Sequence, residues 1–348
     1  MEKLIKDVYE RLRFIGYNRK HKKRALKALK CIEKDTGFKL SKKQKSQIRE
    51  YAREVLGSNM YAPWLYVYTA YRENFLEGWI PDNYFGYIVA PKINKQIGRI
   101  ANIKTLSKKI IDTNLIPDKF YFIDNTWYDE NFNLIDVKYV KEQILKYAKE
   151  YYLKKDGTSQ GKGVTRIDKD NFNLLDISNL GDCVIQESVR QADWFDKIIT
   201  GKVATIRITT VKGTDHRMKA RASFLRVERQ NSRLVKSENA VKIPIVDDKG
   251  TLGSHGLDSN WKRHSEHPDS KFEFNNKKIP NFSKAVKACE ELHAKIPHFT
   301  IIGWDTIITN YGEVKVLEWN AGHPGIKFSE ALTGPCFCDM GWEELWKT

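Results

Sequence analysis

Two short stretches hold residue types that suit phosphate chemistry. The first is Gly157-Thr158-Ser159-Gln160-Gly161-Lys162-Gly163. It follows the strand-like run 151–154 and precedes the run 164–167, so it reads as a glycine-rich hairpin. Backbone amides in such a loop approach phosphate oxygens with no side chain in the way, and lysines neutralise the charge. It is not a Walker A loop, because only three residues separate Gly157 from Gly161 and Gly163 stands where Ser or Thr should meet magnesium. Strands on both sides also argue against a dinucleotide-binding turn, which opens a helix. An ordinary hairpin without a ligand satisfies the same pattern.

The second stretch is Ile302-Gly303-Trp304-Asp305-Thr306-Ile307-Ile308, then Thr309-Asn310-Tyr311-Gly312, then Glu313 to Asn320. Asn310 and Gly312 mark a turn between two strands. Pairing Ile308 with Glu313 places Asp305 opposite Val316, with Glu318 as its diagonal neighbour and Asn320 two residues further along the same face. Two carboxylates and an amide converging on one sheet face suit magnesium, which takes oxygen ligands and keeps positions for water and phosphate. The competing reading is an exposed polar face. The apolar residues around all three argue against it, since an unpaired buried carboxylate is costly.

Positioning these groups requires a sheet-rich body, and the pattern supplies one after Pro91. Helices are expected at 104–112 and 138–150. Strands are expected at 151–154, 184–186, 203–211, 219–227, 241–246, 301–308 and 314–319. The stretch 249–276 is polar and rich in Gly, Ser, Asp and His, and reads as a long loop. Before this body, residues 2–79 carry apolar residues at helical spacing, punctuated by Gly16, Gly37 and Gly57. Ser41 and Gln44 form a capping box for a helix that ends before Gly57. The aromatics of 61–79 are read as core, with base or sugar stacking as the alternative.

The chain has 348 residues and a net charge of +16, with a lysine- and arginine-rich stretch at 11–53. Such an excess draws anions, and either a solvated helical face or a polyanion patch accounts for it. No window approaches the apolar run of a membrane span, and the start lacks a signal-peptide core. The five cysteines are odd in number and scattered, without zinc-site spacing, which fits a reducing compartment. A cytoplasmic location is expected.

From about residue 102 to 335 the chain resembles the ATP-grasp superfamily, and within it the sugar-transfer associated ATP-grasp proteins. Leu153-Lys154-Lys155 with Ser159, Gly161, Lys162 and Gly163 is similar to that family's lysine strand and phosphate loop. Gln186-Glu187-Ser188-Val189 resembles the linker that clasps adenine. Arg207 lies in a run similar to the arginine-bearing strand. Asp305, Glu318 and Asn320 resemble the magnesium set. The resemblance implies an α+β fold in which two subdomains, 101–188 and 189–348, clasp ATP behind a basic helical region, 1–100. It implies that Lys154 and Lys104, or Lys108, meet phosphates, with Asp193 in the nucleotide set. Lys155 is the alternative to Lys154.

The activity implied is ATP- and Mg2+-dependent ligation of a carboxylate to an amine through an acylphosphate, on a sugar acid or surface-polysaccharide precursor. Arg207 and Arg226 are candidate clamps for the carboxylate, or partners in a structural ion pair. His255, His264 and His267 are candidate bases or residues of a plain solvated loop. The glycine loop and 249–276 are candidate lids. Two rivals stand beside this reading: a small-molecule kinase, and a basic nucleic-acid-binding protein. The latter lacks a recognisable reading motif and leaves Asp305, Glu318 and Asn320 without a role.

Overall fold

A computed structural model describes residues 2–147, 150–158, 163–168, 171, 172, 180–229 and 240–348. Ser159, Gly161 and Lys162 of the expected phosphate loop lie outside the described residues.

The chain begins with a 35-residue helix, α1 (Glu2–Thr36), followed by α2 (Lys42–Glu54) and α3 (Ala62–Arg72). Gly16 does not punctuate α1. One glycine costs about 1 kcal/mol relative to alanine in a helix interior, too little to break a ladder this long. The capping box of α2 forms as expected: the Ser41 hydroxyl accepts from the Gln44 amide, and the Ser41 amide donates to the Gln44 side chain. Short helical turns, α4 (Asp82–Tyr84) and α5 (Ala90–Ile93), lead to α6 (Lys104–Ile111).

Tyr61, Trp64, Tyr68 and Trp79 are at most 2% exposed, so the aromatic segment is core rather than a stacking platform. Burying each large side chain contributes about 1.5–3 kcal/mol. The same core takes in Leu332, Phe337 and Trp342 near the other end of the chain, and Trp261. Glu330 fastens the two together: its carboxylate accepts from the amides of Ile80 at 2.7 Å and Cys336 at 2.8 Å, and its carbonyl accepts from the Trp79 indole.

Two antiparallel sheets follow. The first, in the order β3-β2-β1-β6-β4-β5, joins β1 (Asp118–Ile123), β2 (Thr126–Asp129), β3 (Leu134–Ile135), β4 (Tyr151–Lys155), β5 (Val164–Ile167) and β6 (Cys183–Glu187). Helix α7 (Val137–Tyr147) covers one face through Val140 and Ile144. The short α8 (Asp193–Asp196) links to the second sheet. That sheet has the order β11-β10-β9-β8-β7-β12-β13. Its strands are β7 (Thr205–Lys212), β8 (Met218–Val227), β9 (Val241–Pro244), β10 (Gly256–Leu257), β11 (Arg263–His264), β12 (Ile301–Ile308) and β13 (Val314–Asn320).

Alternation along these strands sorts the large sheet into two faces. Ile206, Ile208, Leu225, Ile302 and Trp304 pack with Phe282, Ala285, Cys289 and Leu292 of α9 (Phe282–Lys295). Arg207, Arg226, Asp305 and Lys242 therefore fall on the opposite face. The stretch 249–276 is not one open loop: β10 pairs with β9, and Trp261, His267 and Phe274 are buried. Its polar composition concealed these few anchors.

Candidate active site

The β12–β13 hairpin differs from the expected register in a way that preserves its chemistry. Ile308 pairs with Val314, one residue beyond the expected Glu313, because Thr309 and Glu313 are joined inside the turn. Continued regularly, that register would set Asp305 opposite Leu317 and turn Glu318 toward α9. A β-bulge intervenes: Thr306 pairs with Val316, but Asp305 pairs with Glu318. The extra residue is Leu317. The two one-residue changes add to two, which restores the side-chain parity, so Asp305 and Glu318 stand directly opposite on one face and Asn320 follows opposite Gly303.

The bulge also turns the Leu317 carbonyl toward the other sheet, where the Lys154 ammonium donates to it at 2.9 Å. Lys154 points this way because it alternates with Leu153, which is buried in the first sheet's core. Lys155 shares the parity of Leu153 and pairs with Cys183 on that core's side. Removal from water lowers the Lys154 pKa from its ordinary value, with Lys104 adding to the effect, while Glu318, Asp118 and Asp305 oppose it.

Asp305 is 3% exposed. Arg207, opposite it on β7, donates to both carboxylate oxygens at 2.8 and 3.1 Å and gives its remaining arm to the Pro324 carbonyl at 2.6 Å. Arg226 stands 3.5 Å from the same carboxylate and donates to the Thr205 hydroxyl. Burial pushes the Asp305 carboxyl up, but Arg207 and Arg226 outweigh it and hold the group ionised, below its ordinary range. Gly303 makes room for this pair, since a Cβ there would lie 2.7 Å from the Arg207 guanidinium. Both arginines are thus partners of Asp305 before any substrate is considered.

Magnesium fits these residues. Among the described residues no three His, Cys, Asp or Glu side chains cluster closely enough to hold a metal, so a cation here would rely on two carboxylates and an amide. Asp305 and Glu318 supply hard oxygen donors. Asn320 has a buried amide Nδ2 without a hydrogen-bond partner, and a half-turn of the side-chain amide puts its oxygen there instead. The remaining positions suit water and phosphate.

A cavity of about 760 Å3 opens beside this hairpin, within the range of small-molecule sites. Glu187, Ser188 and Val189 line it, with Lys108, Asp118 and the turn Thr309–Tyr311. The amides of Glu187 and Ser188 donate to the Pro117 and Glu150 carbonyls, so neither N–H is free to point into the cavity. Gln186 connects cavity and hairpin, donating to Asp118 at 2.7 Å and reaching toward the Leu317 carbonyl at 3.5 Å.

Asp118 was not singled out from the sequence. It is 2% exposed, and burial raises its pKa to about 6 against the opposing pull of Gln186 and Lys154. A single Asp after Pro117 carries no local signal: besides Tyr121 on its own strand, its partners Lys154 and Gln186 come from β4 and β6.

The other expected residues divide. Lys104 opens α6, whose first amides are capped by Asp156 at 2.6 and 3.1 Å, and its ammonium holds the Thr158 carbonyl at the mouth of the glycine loop. Gly163 closes that hairpin by accepting from the Lys155 amide. Asp193 lies at the surface, paired with Arg190, and is not among the residues lining the cavity. The histidines of 249–276 have structural partners: His264 meets Asp258, buried His267 meets the Glu228 carbonyl, and His255 meets Ser254.

Residues 176–337 match the sugar-transfer associated ATP-grasp family. No curated protein matches the chain in sequence. Among solved structures, it is similar to an ADP complex of N5-carboxyaminoimidazole ribonucleotide synthetase, at 11% identity and a TM-score of 0.38 over 63% of this chain and 44% of that one. A Staphylococcus aureus N5-carboxyaminoimidazole synthetase complexed with ADP shares 13% identity, TM-score 0.36, over 64% and 44% of the two chains. The ATP-grasp ligase PsnB with a minimal precursor shares 12% identity, TM-score 0.40, over 73% and 63%. The matches span less than two thirds of these structures' lengths. The family match begins before β6 and runs past β13, so the stretch that is similar to the sugar-transfer associated ATP-grasp proteins takes in the whole large sheet and the acidic hairpin.

Proposed function

We propose that this protein is an ATP- and Mg2+-dependent, ADP-forming ligase that joins a carboxylate to an amine, with a sugar acid as the carboxylate donor. The observation that carries the reading is the bulged hairpin, which sets Glu318 against Asp305 and offers the Leu317 carbonyl to Lys154. The sugar acid rests on the description of the matched family alone.

In this reading Glu187 to Val189 wall the nucleotide site, and Lys154 and Lys104 place positive charge beside its phosphates. Asp305, Glu318 and Asn320 hold magnesium, which when bound neutralises phosphate oxygens and the charge spread over a transferring phosphoryl group. Arg207 contributes a cation whose position is fixed on both sides, so it needs no reorganisation as charge develops. Arg226, less tightly held, faces the carboxylate donor. The donor's oxygen takes the terminal phosphoryl group of ATP, the amine displaces phosphate, and the products are ADP, phosphate and an amide.

The test is turnover across sugar acids and amines with 18O in the donor carboxylate. The reading expects ADP and phosphate only when both substrates are present, with one label carried into the phosphate. AMP with pyrophosphate, or a stable phosphorylated acceptor, overturns it, the latter in favour of a kinase.

A further inference from the structure

Helix α1 packs against the protein through one face, on which Asn18, His21, Ala25, Ala28, Leu29 and Ile32 are buried. Residues advance by about 100° around a helix, which carries Ile5, Val8, Leu12 and Ile15 well away from that face at three- and four-residue spacing. Ile5 is 62% exposed, Val8 50%, Tyr9 63% and Leu12 64%. The same line continues along the helix as Arg19, Lys22, Lys23, Leu26 and Lys30, all exposed. One outward stripe is therefore apolar over its first turns and cationic over the next.

Core packing accounts for neither half, because the stripe lies on the side of α1 away from its packed face. The charge around it is lopsided: residues 1–57 hold eighteen lysines and arginines against seven acids, about two thirds of the excess of +16. No helix among the described residues is long and apolar enough to cross a membrane, and α1 instead carries a short exposed apolar stretch followed along the same face by an exposed basic one.

We propose that this stripe of α1 docks the protein on the surface of an anionic phospholipid bilayer. Ile5, Val8, Tyr9 and Leu12 enter the headgroup boundary, and Arg19, Lys22, Lys23 and Lys30 lie among the phosphates. A second copy of the chain fits less well: the apolar part spans only two heptads, short of the three or four that sustain a coiled coil, and pairing would bring two strongly basic helices together. A nucleic acid would use the basic half and leave Val8 and Leu12 in water. The proposal is independent of the ligase reading, and either can fail alone.

The experiment is co-sedimentation of the full chain with vesicles of phosphatidylcholine alone or mixed with phosphatidylglycerol. Variants are Val8→Glu with Leu12→Glu, and Lys22→Glu with Lys23→Glu. All four residues are exposed, so unchanged melting temperatures verify that the fold is kept. The wild type is expected to bind the anionic vesicles at least about tenfold better than neutral ones, and each double variant to lose about tenfold or more. Absence of binding by the wild type overturns the proposal. So does undiminished binding by the apolar variant, which would mean simple charge adsorption. A dimer in sedimentation velocity that the apolar variant abolishes would assign the stripe to a second copy. Tighter binding to duplex nucleic acid than to vesicles, sensitive only to the lysine variant, would assign it to that partner.

Discussion

Glu330→Gln tests how the helical region is fastened to the rest of the protein. Glu330 is fully buried, and loss of water raises its carboxyl from 4.5 to about 8, although the amides of Ile80 and Cys336 favour the ionised form. A carboxyl whose pKa is raised on folding contributes stability below its unfolded value and loses it as pH climbs through the folded value. The window is therefore pH 4.5 to about 8. Moving a carboxyl that far is worth about 5 kcal/mol at most, at 1.36 kcal/mol per pH unit. With 348 residues and about 2.1 cal/mol/K of unfolding entropy each, that is about 7 °C in melting temperature. Glutamine cannot ionise and keeps one acceptor oxygen. Calorimetric melting of both proteins from pH 5 to pH 9 should show the wild type ahead at pH 5 and its lead shrinking or reversing by pH 9. A difference that stays constant across this range refutes the reasoning.

Further outcomes follow from the site. Glu318→Ala should lower magnesium-dependent turnover at least about a hundredfold with little change in melting, since the part its carboxylate plays among the described residues is a through-space attraction to Lys154. Asp305→Ala should lose as much turnover and also about 3–5 kcal/mol of stability, because Arg207 and Arg226 would be left buried without their shared carboxylate. Steady-state assays and melting curves on the two variants separate these effects. Lys154→Met should weaken binding of a nonhydrolysable ATP analogue in calorimetric titration more than Lys155→Met, whose side chain leaves from the other face of β4. The reverse order would place the phosphates on the wrong side of that strand.

Much of the scaffold was legible because period-two alternation and turn residues are local signals. The strand expected at 301–308 is β12, and the helix expected at 104–112 is α6 within one residue. The pairing of Asp305 with Glu318 was legible only in part. Parity put them on one face, but the longer turn and the bulge at Leu317 have no sequence mark, because both depend on what the neighbouring sheet offers the freed carbonyl. Asp118 escaped notice for the same reason. Gly16 misled because a glycine penalty is small beside the packing of a long helix. Helix α9 was not anticipated, although Asn281 is of a usual N-cap type and Phe282, Ala285, Cys289 and Leu292 repeat at helical spacing; in the structure Asn281 makes no side-chain cap bond.

The central claim is that nucleotide and metal meet on the β12–β13 hairpin. Manganese in place of magnesium makes that claim visible by electron paramagnetic resonance, titrated into wild type and Glu318→Ala with and without a nonhydrolysable ATP analogue. The account predicts a tightly bound Mn2+ signal in the wild type only when the analogue is present, weakened at least about tenfold in the variant. An identical signal from both proteins, or none with the analogue bound, would contradict it.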